Sequence, residues 1–134
     1  MMRHPQLVIY EDDGALAAQL EPLAKEHSWL IRESRQPEAC LNLLRQVRPA
    51  VLILKLRDLV AEFELLAKLQ EQAPDVALIL VSDVKLEGSE QRLNLSGLAY
   101  DLGASYVMFP PLDGTLLEDV VSGLLESRMQ RIEG

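Results

Sequence analysis

Leu7-Val8-Ile9-Tyr10-Glu11-Asp12-Asp13-Gly14 decides the reading of this chain. Four apolar residues in a row, halted by three carboxylates and a glycine, describe a strand buried on both faces that ends in a polar loop. A strand of that kind belongs to a parallel sheet with helices on both sides, so the flanking sequence should alternate helix and strand.

It does. From Ala15 to about Glu26, Leu16, Leu20 and Leu23 recur at helical spacing, with Asp12 or Asp13 able to cap the start and Pro22 placed to kink or weaken the middle. Trp29-Leu30-Ile31-Arg32 alternates, with Trp29 and Ile31 on one face, which suits an edge strand. Pro37 opens a second helix through Leu41, Leu44 and Val47, closed by Pro49. Val51-Leu52-Ile53-Leu54 is the third strand, followed by a helix that Asp58 can cap and whose stripe is Val60, Phe63, Leu66 and Leu69. Val76 to Val81 is the fourth strand, stopping at Ser82-Asp83. Gly88, Asn94 and Gly97 dilute a fourth helix that Leu95, Leu98 and Leu102 would anchor, so 84–104 is expected to be the most malleable stretch. Tyr106-Val107-Met108-Phe109 makes the fifth strand, Pro110-Pro111 breaks it, and Leu116, Val120 and Leu124 with Leu117 and Val121 stripe a last helix to about Arg131.

The 134 residues are one domain's worth of chain, 1–134, with 49% apolar and 25% charged residues, close to the globular norm. Apolar runs fall far short of the ~20 residues a membrane helix needs, and the lead to Gln6 is too short for a secretory signal; a cytoplasmic protein is expected. The single Cys40 forms no internal disulfide, and as a helix residue between Ala39 and Leu41 it reads as core packing rather than a redox switch. With two histidines, His4 and His27, both read as surface residues, zinc-ligand spacing is missing. A net charge of −8 with scattered basic residues argues against nucleic-acid binding.

In open α/β sheets the chemistry sits at the carboxyl ends of the strands. Those ends carry Glu11-Asp12-Asp13, Lys55, Ser82-Asp83 and Pro110-Pro111. Here the chain resembles the receiver domain of two-component response regulators, over nearly its whole length. The resemblance is carried by Leu7 to Asp13, by Pro49-Ala50-Val51-Leu52-Ile53-Leu54, by the strand ending in Ser82 and by Gly103-Ala104-Ser105-Tyr106-Val107-Met108-Phe109-Pro110-Pro111-Leu112. It implies a flavodoxin-like, doubly wound (βα)5 sandwich of three layers around a five-stranded parallel sheet in the order 2-1-3-4-5.

It also implies a phosphorylation pocket, and a degenerate one. Receivers hold Mg²⁺ on an acidic pair after the first strand, here Glu11 and Asp12. They phosphorylate an aspartate at the end of the third strand, where this chain has Lys55. The hydroxyl position is Ser82, the invariant lysine is replaced by Pro110, and Pro111 keeps the family's cis-proline position. Val107 stands at the aromatic switch, and Tyr106 and Phe109 read as sheet packing. Lys55 is expected to pair with Glu11 and Asp12, which would remove the Mg²⁺ vacancy; the other reading is a solvated lysine at a strand end. The acidic triplet can equally serve as turn and helix cap. Asp83 would crowd and repel a phosphate, and Asp58 reads as a helix cap rather than a displaced acceptor.

The function implied is a pseudo-receiver: no enzyme, no cofactor, no bound metal, working by phosphorylation-independent binding of signalling proteins such as a kinase, output domain or regulator. The resemblance places that contact on the face of helix 4, strand 5 and helix 5, with a homodimer left open and neither nucleic acid nor membrane as partner. The alternatives are a receiver that uses Asp58 or Asp83 with Mg²⁺, and a small-ligand site in the crevice at the strand ends. The chain either acts alone or is a domain of a longer regulator.

Overall fold

The computed structural model describes residues 6–46, 50–56, 59–72, 76–82, 89–109 and 114–133. Ten elements alternate in the order β1 (Gln6–Tyr10), α1 (Ala15–His27), β2 (Leu30–Ser34), α2 (Pro37–Gln46), β3 (Ala50–Leu56), α3 (Leu59–Gln72), β4 (Ala77–Ser82), α4 (Ser89–Asp101), β5 (Tyr106–Met108) and α5 (Gly114–Glu133). The strands form one parallel sheet in the order β2-β1-β3-β4-β5, as expected. At residues 84–88 and 110–113, and at Asp58, the sequence readings lie outside the described residues.

Successive side chains of a strand point to opposite faces, and in the central strands both faces are apolar. Val8, Leu52, Leu54, Leu56, Leu78 and Leu80 pack under α2, α3 and α4 with Cys40, Leu41, Leu44, Leu65, Leu66, Leu95 and Ala99. Leu7, Ile9, Val51, Ile53, Ile79 and Val81 pack under α1 and α5 with Leu16, Leu20, Leu117, Val121 and Leu125. The sheet is therefore the middle of three layers with a core on each side. Parity puts Lys55, two residues beyond Ile53, on the α1 side of β3.

β2 is an edge strand, and its pattern follows: Trp29 and Ile31 pack on the α1 side while Leu30 is 42% exposed. His27, exposed at the end of α1, stacks on Trp29 with ring centroids 4.9 Å apart. α1 runs through Pro22, which lies on its exposed side. β3 is longer than the apolar run suggests, because Lys55 and Leu56 keep pairing with Val81 and Ser82.

Two helices bury most but not all of the stripe their apolar residues suggest. Among the described side chains of α4, Leu95 and Ala99 are buried and Leu98 is 46% exposed, and Leu102 just past the helix is partly buried. Among those of α5, Leu117, Val121 and Leu125 are buried and Val120 and Leu124 partly buried, with Leu116 40% exposed. In both cases the i, i+4 stripe that packs includes small or later residues than the leucines at i, i+3. In α3 the buried residues are Glu62, Leu65, Leu66 and Leu69, with Phe63 only partly buried.

Cys40 is fully buried beneath α2, and burial pushes its thiol up to about 12. It is a packing residue, and a thiolate-specific reagent such as Ellman's should leave it unlabelled in the native protein and label it fully in denaturant; fast labelling of the folded protein would contradict this burial.

Candidate functional site

The carboxyl ends of β1 and β3 bring the acidic loop and Lys55 together. After Tyr10 the chain adds one further bond to β2, Glu11 N–H to the Ser34 carbonyl at 3.2 Å, and then turns into α1 through Gly14. Gly14 is the N-cap with φ 74°, a left-handed conformation that a glycine adopts at no steric cost. It has no side chain with which to cap, so the first free N–H groups of α1 need acceptors from elsewhere.

Glu11 supplies them. Its carboxylate is buried, Oε1 accepting the Leu16 N–H at 2.9 Å and Oε2 the Ala17 N–H at 3.0 Å. Asp13 Oδ1 accepts the Ala15 N–H at 3.2 Å. Three of the leading N–H groups of α1 are thus met by two carboxylates, at the end of the helix where the macrodipole favours negative charge. The cap reading of the triplet holds for Glu11 and Asp13; Asp12 is exposed and engaged in a contact of its own.

Lys55 is neither solvated nor paired as the sequence suggests. Its side chain is 11% exposed and its Nζ donates to Asp13 Oδ2 at 2.9 Å. The expected partners Glu11 and Asp12 are replaced by Asp13, because Glu11 is turned into the helix start. Sequence reasoning had Asp13 only as a cap; the signal was Gly14, whose bare N-cap forces the preceding carboxylates to divide the work. The Lys55 ammonium, more than the Ala15 N–H and the adjoining Glu11 carboxyl, draws the Asp13 carboxyl down to about 2.

Ser82, fully buried, ends β4 opposite Leu56 and has a polar contact of its own. Tyr10 is half-buried beside the site; its phenol is pushed up by burial first, then by Glu62, Cys40 and Asp12. Asp83, Pro110 and the cis-proline candidate Pro111 lie outside the described residues. The structure thus gathers Glu11, Asp13 and Lys55. Among the described residues no group of three or more His, Cys, Asp or Glu side chains is arranged to hold a metal ion.

A hollow of about 170 Å³ lies at the other end of the sheet, between α3 and α4, lined by Leu52, Leu69, Val76, Leu78 and Leu102 with Gln70 and Gly103. It is at the amino ends of β3 and β4, away from the strand-end crevice.

Five parallel strands in the order 2-1-3-4-5 with five helices make the flavodoxin-like fold of receiver domains. Among solved structures, a signal receiver domain from Vibrio parahaemolyticus is similar at TM-score 0.78 and 18% identity, over 98% of this chain and 99% of that one. A CheY-like response regulator receiver domain protein from Methanospirillum hungatei is similar at 0.74 and 14%, over 97% and 99%. NtrX from Brucella abortus is similar at 0.71 and 17%, over 98% of this chain but 28% of that one. Identities this low make the likeness one of fold. No family model and no curated protein matches the sequence. No helix among the described residues is long and apolar enough to cross a membrane.

Two consequences can be measured. Glu11→Ala strips two acceptors from the start of α1, one of them facing the buried Leu16 N–H, and should cost about 1–2 kcal/mol in urea unfolding. The Asp13 contribution is present above the ordinary carboxyl pKa of 3.8 and is lost as pH falls through about 2. The pair is 44% exposed on the Asp13 side, so that loss is no more than about 1 kcal/mol. Lys55→Met should therefore flatten the stability curve between those two pH values in acid titrations followed by circular dichroism.

Proposed function

We propose that this chain is an atypical receiver module of two-component-type signalling that binds other proteins without being phosphorylated. The observation that carries the reading is Lys55, whose Nζ sits 2.9 Å from Asp13 Oδ2 at the strand end where the resemblance puts a phospho-accepting aspartate. An ammonium bonded to a carboxylate is kept protonated and is a poor nucleophile.

The residues present do not fit the Mg²⁺ that the fold family implies. A hard divalent cation needs several oxygen ligands on one side of the ion. Both Glu11 oxygens are spent on backbone N–H groups and both Asp13 oxygens are engaged, one by Ala15 and one by Lys55. Lys55 itself brings the positive charge that the ion would supply. The pocket described by Glu11, Asp12, Lys55 and Ser82 is on this reading a settled ion-pair cluster, and the module works as a binding protein, with neither catalysis nor cofactor.

The contact surface we assign to α4, β5 and α5. β5 is a sheet edge, and the helices on either side of it expose Leu98, Tyr100 and Leu116. Its partners would be a kinase, an output domain or another regulator in the cytoplasm; the NtrX chain, of which a unit of this fold makes up 28%, is an example of a receiver-like fold within a larger protein.

The second reading, a receiver that uses Asp58 or Asp83 with Mg²⁺, has the Glu11 and Asp13 bonds against it. The third, a ligand in the strand-end crevice, has in its favour no observation beyond the fold. Incubating the protein with acetyl phosphate and Mg²⁺ and weighing it intact tests the first two together. We expect no added phosphoryl mass beside a competent receiver as control; a gain that disappears in Asp58→Asn or Asp83→Asn would overturn the proposal.

A further inference from the structure

The hollow at the amino ends of β3 and β4 has walls and a mouth of different chemistry. Leu52, Leu69 and Leu78 are buried around it, Val76 and Leu102 are half-buried, and the space they enclose is about 170 Å³. An apolar cavity of ~150 Å³ is enough to take a benzene-sized molecule. The remaining wall is Gln70, in the last turn of α3, and Gly103, just past the end of α4.

Two helices therefore bring their carboxyl ends to this hollow. Such an end carries a partial negative charge, which a basic side chain in the last turn ordinarily offsets. α1 has Lys25 and His27 there and α2 has Arg45, whereas α3 and α4 have no basic residue in the last turn. Two cations beside α3 are engaged on its other flank, toward α2: Lys68 bridges Glu38 at 3.7 Å, and Arg45 bonds Asn42 and Gln72. Asp101, exposed in the last turn of α4, adds a full negative charge.

The hydrogen bonds at the mouth leave acceptors and few donors. α4 closes with the Gly103 N–H on the Tyr100 carbonyl and the Ala104 N–H on the Ala99 carbonyl, both at 3.0 Å, Gly103 taking the φ of 101° that this ending requires. The Leu102 N–H goes to Leu98 and Ala99, and the Ser105 N–H to Leu78, so every N–H of the turn from Leu102 to Ser105 is engaged. Gln70 Nε2 donates to the Asp101 carbonyl at 3.4 Å and ties α3 to the end of α4. That orientation of the amide leaves Gln70 Oε1 as an acceptor at the same place.

We propose that this hollow binds a small organic cation, an amine carrying one aromatic ring or a short branched chain. Its apolar body would lie against Leu52, Leu69 and Leu78, and its ammonium would stay at the mouth, donating to Gln70 Oε1 and facing the negative ends of α3 and α4. An anion of the same shape would meet oxygens where it needs donors. The hollow is at the opposite rim of the sheet from Lys55 and Asp13, so the site goes beyond the binding-module reading and stands apart from the phosphorylation question. A bound cation would fasten α3 to the turn between α4 and β5, where Gln70 already links them.

Phenethylamine, phenethyl alcohol and hydrocinnamate are probes of similar shape with positive, no and negative charge, to be titrated into the full chain at physiological salt and followed by methyl and amide NMR. The amine should shift the methyls of Leu69, Leu78 and Leu102 and the Gly103 amide saturably. The alcohol should bind at least about fivefold more weakly, and hydrocinnamate should leave those signals in place. Gln70→Lys sets the chain's own ammonium at the helix ends; it should weaken the amine about tenfold or more and raise the urea midpoint. Glu21→Gln, an equal change of charge on exposed α1 in the other helical layer, should do neither. Val76→Phe, which takes up part of the space from a half-buried position, should block amine and alcohol alike.

Equal binding of amine and alcohol would leave only an apolar hollow and overturn the proposal. So would amine shifts that centre on the acidic loop from Glu11 to Asp13 or survive Gln70→Lys, which mark general attraction to an acidic protein, and so would hollow methyls that move in none of the titrations. Phosphoryl transfer in the mass experiment would defeat the phosphorylation-independent reading and leave this site to be judged by the three probes alone.

Discussion

Burial of the central strands on both faces is the constraint from which the rest follows. β1, β3 and β4 carry apolar side chains at odd and even positions alike, so the sheet is stable only with helices on either side, and each crossover must return the chain to the same end. The carboxyl ends of the strands then gather at one rim. Loops that leave that rim place Glu11, Asp13 and Lys55 within bonding reach although 42 residues separate Asp13 from Lys55 in sequence.

The rim chemistry depends in turn on how α1 begins. A glycine at the N-cap transfers the capping task to Glu11 and part of it to Asp13, and this decides which carboxylate is left for Lys55. Charge neutralisation and helix initiation are one network here. Its members are unequally covered: Glu11 is buried and the Lys55 side chain is 11% exposed, whereas Asp13 is 44% exposed.

The strands were legible in the sequence because the apolar runs Leu7 to Tyr10, Val51 to Leu54 and Val76 to Val81 are too short for helices and are bounded by polar or proline residues, while their order came from the family resemblance. The inward faces of α4 and α5 were legible in part: Leu95, Leu102, Leu117 and Val121 pack as their spacing suggests, whereas Leu98 and Leu116 are exposed and Ala99 and Leu125 take core positions. A leucine at a helix surface and one in a core look alike to periodicity when the helix has apolar residues on several sides. At the site, Lys55 and the acidic loop were readable as neighbours from strand-end logic. The choice of Asp13 over Glu11 and Asp12 was not, since it hangs on the left-handed turn at Gly14, which redirects side chains by a few ångströms.

Three carboxylates in succession at the end of β1 concentrate like charge at one rim of the sheet. Lys55 offsets part of that charge from within, through Asp13. Glu11 and Asp13 contribute here to folding, by capping α1 and by pairing with Lys55. One side chain, Asp13, thereby joins the start of α1 to the end of β3, and a change there is felt at both.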